Sequence, residues 1–149
     1  MSKGQKAEKL YLSRQYQECI TFCHEALIGQ PDAINTLRFL GKSLLMIGQP
    51  NDAYKYLKRA HELDRREASV LKDIGNCLYQ LGQIDNAYKA YQDALTIDPN
   101  NAGVINNIAR LELIKGNTIE ALKLFTRASE QDPQLIQAAT GAAQTALAL

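Results

Sequence analysis

The chain repeats itself every 34 residues, and that period limits its fold more than any other feature. When residues 35–67, 69–101 and 103–135 are laid under one another, landmarks fall into columns. They read Leu37, Leu71, Ile105; Leu40, Ile74, Ile108; Gly41, Gly75, Ala109; Gly48, Gly82, Gly116; Ala53, Ala87, Ala121; Leu57, Tyr91, Phe125; and Ala60, Ala94, Ala128. A period of this length marks an array of small units, each burying its apolar face against its neighbours. Such arrays present extended surfaces, so the period points to recognition rather than to chemistry.

Within a unit the apolar residues recur at i, i+3, i+4 and i+7, as in Leu37, Leu40, Gly41 and Leu44, which places one stripe along a helix. The spacing predicts a first helix over 34–47 that stops at Gly48, whose tolerance of positive φ suits a helix end. Pro50 then opens a second helix reaching Leu63, because a first helical position has no need of its N–H. Asn117 followed by Glu120 predicts a capping box in the fourth unit. Asp98-Pro99 and Asp132-Pro133 separate units, since proline disfavours helix at the residue before it. The expectation is eight helices in four pairs plus a ninth. Gly41 and Gly75 should face the second helix of their own pair, opposite Ala53 and Ala87, so that the backbones approach closely.

Seventeen basic residues balance sixteen acidic ones in 149, so no global field draws nucleic acid or an anionic membrane. No run approaches the ~18 apolar residues of a membrane span, and Met1 to Lys6 lacks the apolar core of a secretory signal. Three cysteines, an odd number, suggest reduced thiols and a cytoplasmic setting. No cofactor is expected, because no glycine-rich phosphate loop occurs. Cys19, Cys23 and His24 lack the third and fourth partners of a metal site, and both cysteines sit in packing columns. His61 has no nucleophile and carboxylate beside it. Tyr54, Tyr56, Tyr88 and Tyr91 fall at helical spacings that suit packing. The chain reads as a non-enzyme.

The run Leu71-Lys72-Asp73-Ile74-Gly75-Asn76-Cys77-Leu78, followed by Ala87, Tyr91, Ala94 and Pro99, resembles the tetratricopeptide repeat (TPR), with its W-x2-L-G-x2-Y signature. The resemblance implies an all-α, right-handed TPR solenoid in a single domain, with repeats at about 1–33, 34–67, 68–101 and 102–135 and a helix over 136–149. Two units depart from the pattern. Lys3 and Lys6 replace apolar residues in the first, as suits a wet outer cap, and Glu112 replaces Tyr or Leu in the fourth. In the tail, Ala139, Ala142, Ala143 and Ala146 occupy the first-helix columns and should pack on the second helix of the fourth unit. No charged residue occurs from Leu135 to Leu149. That tail, from Ile136 to Leu149, reads either as a cut through a longer array or as a surface for self-association.

Residues one step beyond the core columns lie about 100° around the helix and form a second stripe. Its members are Glu8 and Tyr11; Asn35, Arg38, Lys42 and Leu45; Ser69, Lys72, Asn76 and Tyr79; Gly103, Asn106, Arg110 and Leu113; and Gln137, Thr140, Gln144 and Leu147. In proteins that this chain resembles, the stripe lines a concave groove where peptides bind. Arg38, Lys42, Lys72 and Arg110 stand against Glu8 alone, and Tyr11, Leu45, Tyr79, Leu113 and Leu147 form an apolar or amphipathic column. Basic donors beside an apolar floor suit an extended, acidic or carboxylate-bearing peptide. The plainer alternative is ordinary solvated charge. Some TPR domains clamp a chaperone's terminal carboxylate with five residues. Lys72, Asn76 and Asn107 match the first three, but Gln137 and Gly141 supply no cation for the rest, so no clamp is expected. The function expected is a protein–protein interaction scaffold. The alternatives are a regulatory or targeting segment of a larger, enzymatic protein, or a small chaperone for a secreted protein.

Overall fold

The structure, a computed structural model, describes residues 1–149 and contains nine α-helices and no strand. In order they are α1 (Lys3–Leu12), α2 (Tyr16–Gly29), α3 (Ile34–Met46), α4 (Pro50–Leu63), α5 (Ala68–Gln80), α6 (Ile84–Ile97), α7 (Ala102–Ile114), α8 (Thr118–Gln131) and α9 (Ile136–Leu147). The expected boundary at Gly48 and the expected start at Pro50 both hold. Gly48, Gly82 and Gly116 have φ of 78°, 76° and 83°, and each ends the first helix of its pair. Arg14 takes the same column in the first pair with φ 60°, a conformation few non-glycine residues adopt. After each of these residues one N–H reaches back to a carbonyl five residues earlier: Gln15 to Leu10, Gln49 to Leu44, Gln83 to Leu78 and Asn117 to Glu112. That is the closing bond of a Schellman motif.

The chain forms two compact units, Met1–Ala87 and Tyr88–Leu149. In the first, α3 packs against α1, α2, α4 and α5, and Ala7, Cys19, Cys23, Leu40, Ala53, Leu57 and Ala60 are fully buried. A Cβ placed on Gly41 would sit 2.4 Å from Leu57 Cγ, so glycine here lets α3 lie directly on α4. The partner is Leu57 rather than the expected Ala53. Ser2 caps α1: its Oγ accepts from the Gln5 N–H, and its own N–H donates to Gln5 Oε1. Lys3 and Lys6 are exposed, and the Lys6 ammonium lies 4.6 Å from the centre of the Phe22 ring.

In the second unit α7 packs on α8, and α9 packs on both. One cluster joins Ala102, Ile105, Ala128 and Ala138, and a second joins Ala109, Ala121 and Phe125 with Ala142 at its edge. Two expectations are corrected here. Asn117 precedes α8 but caps nothing with its side chain. Its amide instead donates to Glu112 Oε2 at 2.7 Å, because that buried carboxylate needs a donor. In α9 the buried residues are Ala138 and Thr145, with Gly141 and Ala142 half-buried, while Ala139, Ala143 and Ala146 are exposed. The columns expected inside are those that a first helix buries against its own second helix. The columns that α9 buries are those of Thr36 and Ser43, which α3 buries as well, and with them it packs on α8.

Candidate functional site

On the first unit, the expected stripe runs along α1, α3 and α5. Tyr11 is half-buried, with ring centres 5.6 Å from Tyr16 and 5.7 Å from Phe39. Lys42 Nζ lies 5.7 Å from the centre of the Tyr11 ring and 2.8 Å from Asp73 Oδ2. The Lys42–Asp73 contact falls outside hydrogen-bond alignment, so it is an ion pair held by charge. Burial, outweighing the nearby Lys42 charge, raises the Tyr11 phenol above its ordinary range. Arg38 donates to Asn35 Oδ1 and to Ser69 Oγ, each at 3.1 Å, and its guanidinium lies 3.7 Å from Glu67 Oε2. The positive excess counted along the stripe is therefore smaller in the fold. Asp73 and Glu67 lie off the stripe, yet each meets one of its cations. Leu45 is buried; Lys72, Asn76 and Tyr79 are half-buried, and Glu8 is exposed.

On the second unit, Asn106, Arg110 and Leu113 from α7 share a cavity of about 640 Å³ with Phe125 of α8 and with α9. The α9 wall includes Gln137, Thr140 and Gln144, three tail residues of the stripe, together with Gly141 and Thr145. A Cβ on Gly141 would stand 2.6 Å from the Phe125 ring, so the absent side chain sets how closely α9 approaches. Asn106 is 2% exposed and Thr145 3% exposed, yet Asn106 Oδ1 and Thr145 Oγ1 make no hydrogen bond within the protein. Sequence spacing placed Asn106 on the stripe but gave no sign that it would be buried. Thr145 was missed, because its column is a packing column in the other units. Asn107 is half-buried and does not line the cavity.

The thiols are packing groups. Cys19 and Cys23 are fully buried with Sγ atoms 3.9 Å apart, and Cys19 Sγ also lies 3.3 Å from the Ala7 carbonyl oxygen. The hydrogen bond with Cys23 holds the Cys19 thiol down at about 7 against the effect of burial. That same bond, together with burial, pushes Cys23 up. Burial pushes Cys77 up to about 12. His24 faces the Tyr56 ring, with centres 5.6 Å apart, and no cluster of three His, Cys, Asp or Glu side chains has metal-binding geometry. Tyr88 is raised by burial and by the neighbouring Glu112, and Lys115 Nζ stands 4.2 Å from the centre of its ring. No helix is long and apolar enough to cross a membrane.

Two tetratricopeptide-repeat family models match the chain, over residues 68–101 and 90–123. The first window coincides with α5 and α6, and the second runs from within α6 into α8. No curated protein matches by sequence. Among solved structures, MamA is similar at a TM-score of 0.78 and 22% identity, with 93% of this chain and 81% of that one covered. The pilF protein of Pseudomonas aeruginosa reaches 0.83 at 19% identity, covering 96% of this chain and 65% of that one. YrrB, a TPR protein with an unusual peptide-binding site, reaches 0.76 at 25% identity, with 90% and 69% covered. The fold is thus that of an all-α TPR array.

Proposed function

We propose that this chain, which carries tetratricopeptide repeats, is a non-catalytic interaction scaffold. It binds an extended segment of a partner protein along the first helices of its pairs. In this reading its repeats, about 1–33, 34–67, 68–101 and 102–135, act as one domain in the cytoplasm. The observation that carries the proposal is a shared column. Tyr11, Lys42, Lys72, Asn76 and Tyr79 on one unit, and Asn106, Arg110 and Leu113 on the other, occupy equivalent first-helix positions, and the second set lines a cavity. The likeness to YrrB, a TPR protein with a peptide-binding site, supports a peptide as the ligand class. Arg38 and Lys42 meet carboxylates within the chain, and Lys72 and the exposed Arg110 add positive charge for an acidic segment in the same first-helix positions, with Tyr79 and Leu113 as apolar contacts.

Peptides selected from a random library against the whole chain test this. Lys72→Glu and Arg110→Glu should each weaken a selected peptide, most at low salt, because exposed charges are screened beyond roughly 10 Å at 0.1 M. If Lys58→Glu or Lys89→Glu on the second helices abolishes binding while these variants bind normally, the proposal fails.

A second reading concerns the tail. Ile136, Leu147 and Leu149 are strongly exposed on a segment that has no charge. That exposure supports self-association of the chain through residues 136–149.

A further inference from the structure

From the uncovered face of α9 we infer that two copies of this chain pair through that helix, antiparallel and about a twofold axis. This deepens the self-association reading of residues 136–149, on which it rests, and is independent of the peptide reading. Each internal first helix buries two faces. On α3 one face carries Thr36 and Ser43, and the other carries Leu37, Leu40 and Leu44, which are 2%, 0% and 3% exposed. The second face includes Gly41, which lies directly on Leu57 of α4. α9 fills only the first of these. Ala138 and Thr145 are buried, whereas Ala139, Ala143 and Ala146, in the columns of Leu37, Gly41 and Leu44, are exposed. At about 100° per residue these alanines share one side of the helix with Ile136 and Leu147, which are 76% and 88% exposed. Ile136, Ala139, Ala143 and Ala146 recur at i, i+3, i+7 and i+10, the spacing of a coiled-coil seam. Two properties of the seam point to a second copy as its occupant. It carries no charge, since no Lys, Arg, Asp or Glu occurs from Leu135 to Leu149. A charged partner surface therefore gains nothing on it, and a like copy is not repelled. The side-chain sizes also complement themselves when the direction is reversed. With the helices antiparallel and the twofold level with residue 141, Ile136 of one copy stands on Ala146 of the other, and Ala139 stands on Ala143. Large meets small at each end, Leu147 closes over Ile136 of the other copy, and the alanines let the axes approach to about 8 Å. A parallel pair would set Ile136 on Ile136 and leave alanine against alanine along the rest. The contact is isologous, so it closes at two copies. Gln137 and Gln144, which line the cavity with α7 and α8, lie on another side of the helix and stay open to a ligand.

Sedimentation of the full chain tests the pairing, with thermal melts to show that each variant keeps its fold. The parent should form a dimer and nothing larger. Ala143→Glu changes an exposed residue and sets a carboxylate against Ala139 of the second copy, so it should weaken the dimer by more than about tenfold. Cross-linking reads the direction. Copies carrying Ala139→Cys, mixed with copies carrying Ala143→Cys, should form a disulfide-linked dimer under oxidised glutathione. Either variant alone should link far less, because its two thiols stand about a helical turn apart along the axis, and a disulfide holds its Cα atoms within roughly 7 Å. Cys19, Cys23 and Cys77 are buried and should contribute no link. A strict monomer in the parent would overturn both this inference and the tail reading. A dimer that survives Ala143→Glu but dissolves with Leu149→Lys would overturn the seam and leave the tail reading standing. Links as strong in a single variant as in the mixture would overturn the antiparallel pairing. Each of these outcomes leaves the peptide reading untouched.

Discussion

Asp73 is 5% exposed and Lys42 is its counter-charge. Lys42→Ala leaves that carboxylate buried and unpaired, so urea unfolding should show a loss of about 2–4 kcal/mol, since breaking a buried pair costs more than the pair contributes. A loss below about 0.5 kcal/mol would mean that the pair is effectively solvated. The thiols make a pH prediction. Cys77 ionises near 9 when unfolded but only at about 12 when folded, so its folded pKa is raised. Its contribution to stability is complete below pH 9 and declines as the pH climbs from 9 towards 12. Cys23, Tyr11 and Tyr88 are raised too and act in the same direction. Cys19, held at about 7, acts oppositely: its contribution is lost as pH falls through 7 and is complete above 9. Above pH 9 the losses therefore stand unopposed. Unfolding at pH 8 and pH 10 should show lower stability at pH 10, and Cys77→Ala should flatten that drop. Only part of this was legible in the sequence. A column shows which residues share a helix face, and so it found Arg38 and Lys42. It could not show that Asp73 and Glu67, one face over, would reach across to them.

At the scale of elements, the pairing of helices was readable because turn chemistry and periodicity agreed. Gly48, Gly82 and Gly116 recur where only a residue tolerant of positive φ closes the helix, and Pro50 starts α4 as expected. What stayed hidden was that each first helix buries a second set of columns besides the one the repeat landmarks mark. α9 keeps the spacing of a first helix and presents Ala138, Gly141 and Thr145 inward, in columns that α3, α5 and α7 bury with Thr36 and Ser43, Val70 and Cys77, and Val104 and Leu111. The capping box at Asn117 failed for a different reason. Buried Glu112, which stands where the repeat usually has Tyr or Leu, takes the Asn117 amide. Gly41→Leu should destabilise the chain by roughly 1–3 kcal/mol through overpacking against Leu57. Gly48→Ala, with open space around it but φ 78°, should cost about 1 kcal/mol through backbone strain alone. Chemical denaturation of the two variants separates steric from conformational cost. A Gly41→Leu protein as stable as the parent would misplace the α3–α4 contact.

For the whole molecule, circular dichroism should show a helix-dominated spectrum, and light scattering at high concentration should show species larger than the monomer. Ile136→Lys together with Leu147→Lys should return the chain to a monomer if residues 136–149 mediate the association. A strict monomer in the parent would remove that reading. The central claim is that partners are recognised on the first helices of the pairs, and one measurement bears on it most directly. Peptides selected from a random library are titrated into the ¹⁵N-labelled full chain and their footprint is mapped by chemical shift. The account predicts perturbations concentrated at Tyr11, Lys72, Asn76 and Tyr79 on the first unit and at Asn106, Arg110 and Leu113 on the second. Perturbations concentrated instead on α2, α4, α6 and α8, around Lys58, Lys89 and Lys123, would contradict it.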